Sequence, residues 1–522
     1  MKIRRMAVGG YFSDMTCRPC SKVCMLVAWL VAIGSFTASA AMSVSISDFG
    51  ATSGEATNTV AIQSAIDTCA ARGGGSVIVP TGRFLTGGIC LKSGVELRIE
   101  DGGVLEGVAG IENYSGISVG YSEMTYRRGF RGRTDASGCE SIPWHALVYA
   151  VDATNVAVTG KGEIFGNGWN FPWRCHGNRP QGVLFCRCRN VRLEGVQIRD
   201  PARWSCYLKE CDRVVVRGIR INAHSNCNND GLDIESRNVL IEDCDIDSGD
   251  DAIVLKSDNP QYCVENVEVR NCRLASNCNH FKIGTATHGS IRHVRVRGCT
   301  TRLCSRPTPR RGETPKEQLE RIRKKWPGCP SGLTAMSGIA IQNVDGGLVE
   351  DVEVCDMTIE GARVPIAIRM GARRDRPCGI PFGDLHVMRD LRIRNVKASA
   401  LTAMACSITG VEGFRPSGIL LENVALSLPG GGSAAAETAP VPECIDSYPE
   451  ANMFGARLLP ARGFYIRHAD KVEFRNVTFH ALGDDDRPNV VTDDADFTMM
   501  PMGDSAGTLD SRGKRPLDKE VF

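Results

Sequence analysis

The feature that most restricts the fold is a short run of alternating residues that recurs along the chain. Each copy opens with a polar residue and continues with apolar residues at alternate positions, which is typical of a strand with one buried face. From Asn190 to His293 the copies follow one another every 23 to 28 residues, a spacing found in solenoid repeats. One such unit can bury its apolar face only against its neighbours, so the pattern predicts stacked coils. The copies begin at Asn155, Asn190, Arg213, Asn238, Asn266, His293, Asp351, Asp390 and Lys471.

The alternative architecture is a β-sandwich built from hairpins. Hairpins of that kind need two-residue turns such as Asn-Gly or Asp-Gly between adjacent strands. The best candidate is Asp230-Gly231, but the residues on its two sides do not pair as a hairpin. We therefore predict an all-β chain that folds as a parallel β-helix, with residues 41–500 forming a single domain.

Three segments depart from the repeat. The stretch Thr301–Leu333 is an insertion rich in Arg, Lys and Pro, and Pro315–Lys325 within it is predicted to form a short helix. The stretch Pro429–Pro442 is rich in Gly and Ala and is predicted to be a loop. The chain after Asp493 lacks periodicity, so this end, including residues 501–522, is predicted to be flexible.

Residues 1–40 have the pattern of an export signal. Lys2, Arg4 and Arg5 carry positive charge, an apolar run extends from Val23 to Phe36, and Ala38-Ser39-Ala40 offers a cleavage site. The apolar run is short for a membrane span, although a retained membrane anchor is the alternative interpretation. We expect a secreted or periplasmic protein without a membrane span in the mature chain.

An exported chain can form disulfides between its cysteines. Removal of residues 1–40 takes away Cys17, Cys20 and Cys24 and leaves 20 of the 23 cysteines. An even number in an exported protein predicts several disulfides, one of them joining Cys304 to Cys329 across the insertion. No two Cys-x-x-Cys pairs stand at zinc spacing, so a structural zinc site is not predicted.

The charge of the chain bears on its partners. There are 62 Lys and Arg residues against 60 Asp and Glu residues, so the formal net charge is +2. This balance gives no indication of a nucleic-acid partner. We expect a monomer.

Two acidic turns lie about one repeat apart, at Asn228–Asp233 and Ser248–Ile253. Equivalent positions on successive coils are separated by about 4.8 Å, so Asp230, Asp250 and Asp251 are expected to converge on one surface. Carboxylates this close repel each other, and one of them keeps its proton to higher pH. An acid and a base are what hydrolysis of a glycosidic bond requires. Asn, Asp and Gly also form ordinary turns, which is the alternative interpretation.

These motifs resemble glycoside hydrolase family 28, the polygalacturonases and their relatives. The Asn228–Asp233 stretch is similar to the family motif Asn-Thr-Asp-Gly-Ile-Asp, with Asn in place of Thr, and Gly249-Asp250-Asp251 is similar to its Gly/Gln-Asp-Asp motif. The stretches Asp48–Ala51 and Gly73–Pro80 resemble the opening of the pectin-acting β-helix proteins. The likeness extends over nearly all of the chain that follows the export signal.

The resemblance implies a right-handed parallel β-helix that hydrolyses a pectin-type polysaccharide with inversion of anomeric configuration, without a cofactor or a metal ion. Asp250 would protonate the leaving oxygen, while Asp230 and Asp251 would hold and deprotonate the attacking water. The acid and base of inverting enzymes are typically separated by roughly 6.5–9.5 Å. Asn228 and Asn229 of the first motif are expected to contact the substrate.

The sequence departs from the family at two places that concern sugar recognition. Where the family has Gly-His-Gly, Asn279 takes the place of the histidine and His280 is displaced by one residue, which in a strand reverses the direction of the side chain. Asn279 and His280 are candidates for substrate binding, and a structural role is the alternative for His280. Where the family has Arg-Ile-Lys, this chain has Ala340-Ile341-Gln342.

Other residues are candidates to compensate for the missing cations. Lys256 and Lys282 lie in the repeats beside the acids and are predicted to bind substrate, the alternative being solvated strand lysines. Arg302–Lys325 is a basic stretch that would attract an anionic polymer, unless it is simply solvated. Trp204 and Tyr207 are either platforms for stacking sugars or part of the core.

Three other functions remain open. A lyase would break the polymer by β-elimination, with calcium bound by the acids. A non-catalytic solenoid would bind or adhere to polysaccharides. A hydrolase of the same fold acting on rhamnogalacturonan, or on a polymer without carboxylates, would agree with the loss of the family's Arg and Lys.

Overall fold

The structure is a computed structural model that describes most of the chain between residues 42 and 500. The predicted signal (residues 1–40), Cys329 and the tail 501–522 lie outside the described residues. Further gaps within the described part are residues 121–142, 174–175, 308–316, 318–319, 322–323, 325–332, 375–381, 434–439 and 456–457.

Most of the described residues form a succession of strands, and the helix α1 (Thr59–Ala71), which follows the first strand, packs its buried face on the first coil. The strands are β1 (Met42–Ser45), β2 (Gly75–Val79), β3 (Gly82–Thr86), β4 (Ile89–Cys90), β5 (Val95–Ile99), β6 (Gly103–Gly107), β7 (Ala146–Val151), β8 (Thr154–Gly160), β9 (Glu163–Phe165), β10 (Gln181–Cys186), β11 (Arg189–Glu194), β12 (Gln197–Arg199), β13 (Cys206–Arg217), β14 (Arg220–Ala223), β15 (Leu232–Glu242), β16 (Asp245–Ser248), β17 (Ile253–Ser257), β18 (Cys263–Arg270), β19 (Arg273–Ser276), β20 (Asn279–Thr287), β21 (Ser290–Arg297), β22 (Thr300–Arg302), β23 (Ala335–Asn343), β24 (Leu348–Met370), β25 (Val387–Ala400), β26 (Cys406–Thr409), β27 (Ser417–Leu428), β28 (Phe464–Ala481) and β29 (Val490–Met500). Short 3₁₀ turns occur at Ile46–Phe49, Ile111–Asn113, Gly168–Asn170 and His176–Asn178.

The strands pair in parallel with the equivalent strands of the coils before and after. For example, β15 pairs with β13 on one side and with β17 and β18 on the other. Crossovers between parallel strands are right-handed in nearly all proteins. The predicted all-β, right-handed parallel β-helix is confirmed.

The core is a set of side-chain columns that run along the axis of the stack. The pairing register places one residue of each coil directly above its counterpart, and every residue of the central column is fully buried. Each large side chain buried in this way contributes roughly 1.5–3 kcal/mol to stability. This column consists of Cys206, Leu232, Ile253, Phe281, Ile339 and Ile366.

The polar residue that opens each predicted copy has a defined structural role. All nine of these residues have a positive φ, between 50° and 60°, so each makes a left-handed bend immediately before a strand. Asn and Asp tolerate this conformation better than other residues with side chains. The amides also stack along the axis, since Asn190 donates to Asn155 at 2.8 Å and Asn266 donates to Asn238 at 2.9 Å. The sequence repeat therefore arises because each coil needs a residue that can form this left-handed bend.

The cysteines take part in the columns rather than in disulfides within the described chain. No disulfide joins two of the described cysteines. Cys244, Cys272 and Cys299 are buried at equivalent positions of three successive coils, where they pack as small apolar side chains. The expectation of several disulfides is therefore wrong for the described cysteines taken among themselves. The pairing of Cys304 with Cys329 stays a prediction, because Cys329 lies outside the described residues.

The predictions for the segments that depart from the repeat are confirmed in some cases and wrong in others. The described positions inside the predicted helix Pro315–Lys325 are helical, and the described part of Pro429–Pro442 has no regular structure. The expectation of a flexible end after Asp493 is wrong as far as Met500, because β29 pairs with β28 up to that residue. Within the described residues, no helix is both long and apolar enough to cross a membrane.

Candidate active site

Asp230 lies at the end of a tightly braced turn that leads into β15. The Asn229 side chain accepts a hydrogen bond from the backbone N–H of Asn226 at 2.6 Å and donates to two backbone carbonyls of the preceding coil at 2.7 and 2.8 Å. A Cβ at Gly231 would lie 2.4 Å from the carbonyl oxygen of Ala252, so only glycine fits there. Asn229 is fully buried, and the structure places it as a brace of this turn rather than as the substrate contact that was expected.

Asp250 and Asp251 form the turn between β16 and β17, one coil further on. The hydroxyl groups of Ser248 and Ser276 donate to the carbonyl oxygen of Asp250 at 2.8 and 2.6 Å. The backbone N–H of Gly231 donates to the carbonyl oxygen of Asp251 at 2.8 Å, which ties the two acidic turns together. The predicted convergence of the three carboxylates on one surface is thus built into the backbone pairing.

The carboxylates differ in their affinity for protons. Burial, reinforced by the charges of Asp230 and Asp251, raises the pKa of Asp250 well above its usual value. Burial also raises the pKa of Asp230, with the charge of Asp251 adding to the effect against the opposing Lys256. Burial acts in the same direction on Asp251, but the Lys282 ammonium and hydrogen bonds outweigh it and lower the pKa of Asp251. The site therefore holds a carboxyl that keeps its proton beside one that stays ionised.

Both predicted lysines are in the site. Lys256 Nζ lies 3.4 Å from Asp230 Oδ2, contacts Asp233, and stands 3.6 Å from the centroid of the Trp204 ring. Lys282 Nζ lies 3.1 Å from Oδ2 of Asp251. The side chains of Lys256 and Lys282 are 12% and 2% exposed, so both ammonium groups are held against the acids rather than solvated.

Asn279 and His280 point in different directions. Asn279 Nδ2 donates to Oδ1 of Asp251 at 2.7 Å, so Asn279 positions that carboxylate. The ring of His280 is fully buried, with Nε2 3.2 Å from the carbonyl oxygen of Arg302. Burial lowers the pKa of His280 to about 3. The structure thus gives His280 the structural role and does not bring it to the carboxylates.

Asn228 connects the first acidic turn to the second. Its Nδ2 lies 3.4 Å from Oδ2 of Asp250, and its Oδ1 accepts a hydrogen bond from Arg179 at 3.2 Å. Arg179, which is buried, was not recognised from the sequence. Asn228 is therefore placed to orient the carboxyl of Asp250.

The sequence also gave no indication of Glu450, which belongs to the irregular chain before β28. Its Oε1 lies 2.7 Å from Lys282 Nζ, and its Oε2 accepts a hydrogen bond from Asn279 at 3.0 Å. Glu450 is 168 residues from Lys282 in the sequence and lies outside every copy of the repeat, so no local pattern marks it.

An aromatic cluster lies on the side of the site toward the N-terminus. Trp204 and Tyr207 are buried and pack with Trp144, with ring centroids 5.0–5.2 Å apart, so core packing is the outcome for this pair. The Arg203 guanidinium lies 4.1 Å from the centroid of the Trp144 ring. Its Nε and Nη2 find no hydrogen-bond partner among the described residues, and burial lowers the pKa of Arg203 to about 9.

Two of these carboxylates also lie close enough to a cysteine to form a set of metal ligands. Asp250, Asp251 and Cys278 each place one oxygen or sulfur atom within 4.8 Å of the others. However, both oxygens of Asp251 are already bonded, one to Lys282 and one to Asn279. A cation would have to displace an ammonium group, so this set of ligands is better suited to proton transfer than to binding calcium.

Comparison with known proteins agrees with this geometry. Residues 120–300, which include both acidic turns, match the model of the glycosyl hydrolases family 28. Over this stretch the chain is similar to glycoside hydrolase family 28.

Similar proteins match the chain over different lengths. A probable polygalacturonase of Arabidopsis thaliana is 33% identical over 166 residues, which cover 27% of this chain and 36% of that protein. A probable polygalacturonase of Vitis vinifera is 26% identical over 412 residues, covering 74% of this chain and 75% of that protein. The structure of an exopolygalacturonase from Thermotoga maritima, 23% identical, superimposes with a TM-score of 0.59 over 84% of this chain and 92% of that one. This last likeness concerns the fold.

Proposed function

We propose that this chain hydrolyses glycosidic bonds of a pectin-type polysaccharide. The observation that carries the proposal is the pair of neighbouring carboxyls whose pKa values are driven apart, upward at Asp250 and downward at Asp251. Carboxyls separated in this way divide the roles of acid and base at a single pH. An exported enzyme would meet such polymers directly, in agreement with the signal expected in residues 1–40.

The proposed mechanism assigns one task to each group. Asp250 protonates the glycosidic oxygen of the leaving sugar, and the raised pKa keeps it protonated for this step. Asp251 accepts a proton from the attacking water, which Asp230 helps to hold. Lys282 and Asn279 are positioning residues that keep Asp251 ionised and oriented. General acid–base catalysis of this kind typically contributes roughly 10²–10⁴-fold to the rate.

The stereochemical outcome tests the mechanism independently. The resemblance to family 28 implies inversion. The oxygens of Asp250 and Asp251 approach within 4.8 Å, whereas the acid and base of inverting enzymes are typically roughly 6.5–9.5 Å apart. The resemblance implies inversion, while the short separation of Asp250 and Asp251 does not fit the spacing of inverting enzymes. If the enzyme inverts, Asp230 therefore shares in holding the attacking water. The anomer released first, read by NMR, decides between inversion and retention.

The experiment is a panel of polysaccharides comprising homogalacturonan, its methyl ester and a rhamnogalacturonan. Hydrolysis yields new reducing ends without an unsaturated product, and the substrate with the highest kcat/KM identifies the polymer. Absorbance from an unsaturated uronide would instead support β-elimination. Failure to cleave any member of the panel, with the polymer still bound, would support the non-catalytic alternative.

A further inference from the structure

Residues 441–450, which we call the crossing segment, run along the outer face of the stack toward the catalytic carboxylates. Four residues of successive coils lie beneath it in register, since Gln342 pairs with Arg369, Arg369 with Thr409, and Thr409 with Arg467. The coil that carries Lys282 comes immediately before the coil of Gln342. The segment thus crosses four spacings between coils, about 19 Å at roughly 4.8 Å each.

The far half of the crossing segment is fixed by arginines and by the backbone. Arg467 donates to the carbonyl oxygen of Val441 at 2.8 Å and also bonds to the carboxylate of Glu443. Arg369 donates to the carbonyl oxygens of Glu443 and Cys444 at 2.9 and 2.8 Å. These contacts hold the backbone of the segment directly on the side chains that would otherwise face solvent in the groove.

The near half is fixed in the same way, up to the catalytic site. Gln342 Nε2 donates to the carbonyl oxygen of Pro449 at 2.9 Å, and the hydroxyl of Thr285 donates to that of Tyr448 at 2.9 Å. Glu450 ends the segment between Lys282 and Asn279, the two residues that also hold Asp251. The carboxylate of Glu450 is therefore one hydrogen-bonded residue away from a catalytic carboxylate.

Burial and charge indicate that the crossing segment is a fixed barrier on the surface of the stack. Glu450 is only 8% exposed, whereas Ile445 is 48% exposed and Tyr448, although its hydroxyl is bonded to Thr285, is 53% exposed. The segment therefore has one face on the stack and the other in solvent. Charge-assisted hydrogen bonds, at Glu443 and at Glu450, close both of its ends, and such bonds are among the stronger ones in proteins.

We propose that the crossing segment closes the groove on the C-terminal side of Asp251, so that the enzyme cleaves only near the ends of polysaccharide chains. This inference rests on the proposed function. An enzyme that cuts inside a polymer must let the chain continue across the coils in both directions from the carboxylates. Here the backbone of the segment takes that course in one direction, so a substrate reaches the site only with a chain end or a short stub on that side.

The first test is the product pattern of the full-length wild-type protein on the polymer that the panel identifies. Size-exclusion chromatography and a reducing-end assay follow the same digest over time. We expect short products from the earliest samples while the polymer peak keeps its size. An early shift of the whole polymer peak to intermediate sizes would overturn the inference and leave the proposed function standing. No hydrolysis of any polymer or oligosaccharide would overturn both.

The second test opens this barrier with the double variant Tyr448→Ala, Glu450→Ala. We expect a several-fold rise in the ratio of polymer cleavage to trisaccharide cleavage, together with longer products. Asp446→Asn is the matched control, because Asp446 is an exposed acid of the same segment, and its product pattern should equal that of the wild type. A folded double variant with an unchanged ratio and unchanged products would overturn the inference. If the double variant fails to fold, as judged by its melting curve, the wild-type product pattern decides.

Discussion

Replacement of Lys282 by Met tests whether one ammonium group keeps Asp251, the proposed catalytic base, ionised. The substitution removes the charge that lies 3.1 Å from Asp251 Oδ2 and retains much of the side-chain volume. Asp251 is buried, and Lys282 is the largest influence that opposes the effect of burial on its pKa. Without Lys282, burial and the neighbouring carboxylates prevail, and the pKa of Asp251 rises.

The size of the effect follows from the distance. Two unit charges 3.1 Å apart interact by about 5 kcal/mol at an effective dielectric constant of about 20. Relaxation of the site reduces this figure, and an opposite charge at such a distance typically changes the pKa of an aspartate by about 1–3 units. We therefore expect the acid limb of the kcat/KM profile to move upward by about 1–3 pH units.

The substitution also lowers the free energy of unfolding, and the size of this loss depends on pH. A lowered pKa of Asp251 in the folded state stabilises the wild type above the unfolded value of about 3.9, and this contribution is lost as the pH falls through the folded value. In Lys282→Met the buried Asp251 and Glu450 lose their cation, which typically costs about 3–5 kcal/mol. The loss should be large at neutral pH and smaller at acid pH, where Asp251 can protonate.

The assay is the pH dependence of kcat/KM on the preferred polymer, with thermal melting at each pH. Lys282→Arg is the control, since it keeps the charge and should leave the acid limb near its wild-type position. An acid limb that stays in place in a folded Lys282→Met protein would refute the assignment of Asp251 as the base held ionised by Lys282.

Three further predictions concern Asp250, His280 and the pair of Cys304 and Cys329. Asp250→Asn should lower kcat by about 10²–10⁴-fold with an unchanged melting temperature, and near-normal turnover would exclude Asp250 as the acid. Because burial lowers the pKa of His280 to about 3, its neutral form stabilises the fold at pH values above the unfolded value of about 6.5. This contribution should be lost as the pH falls from about 6.5, and His280→Gln should abolish that part of the pH dependence of stability without changing the shape of the activity profile. Peptide mapping of the exported protein without reduction should detect Cys304 joined to Cys329, and two free thiols would contradict it.

The parts of the structure that follow from local pattern could be predicted. A residue such as Asn238 opens a copy of the repeat because its backbone makes a left-handed bend, and this requirement recurs once per coil. The register that follows then places the turn of Asp230 beside that of Asp250 and Asp251. The fold class and the convergence of the three carboxylates were therefore accessible from the sequence alone.

What could not be predicted depends on side-chain direction and on contacts between distant parts of the chain. Asn229 belongs to the acidic motif, yet its amide is fully hydrogen-bonded to the backbone of its own turn and of the preceding coil. Glu450 reaches the site from a segment without periodicity. Cys272 lies at a position where the stack needs a small buried side chain, so a count of cysteines misrepresents it as a disulfide candidate.

The two lysines lead to a different view of sugar recognition from the one that their sequence positions indicate. Lys256 is held between Asp230 and Asp233. Lys282 is held between Asp251 and Glu450. Each ammonium group is thus already paired with carboxyl groups of the protein itself, and a uronate that approached either one would have to compete with them.

The positions of the family's Arg-Ile-Lys motif add to this effect. Ala340 carries no charge, and the Gln342 amide donates to the backbone of the crossing segment. A charge-assisted hydrogen bond contributes about 1.5–3 kcal/mol, so the absence of two such cations should weaken the selection of uronates considerably. We expect the ratio of kcat/KM for homogalacturonan over its methyl ester to be small, and to change little in Lys282→Arg. A strong preference for the unesterified polymer would require another cation. Arg203, which is buried beside the site with two nitrogen atoms that lack partners among the described residues, is then the residue to replace by Gln.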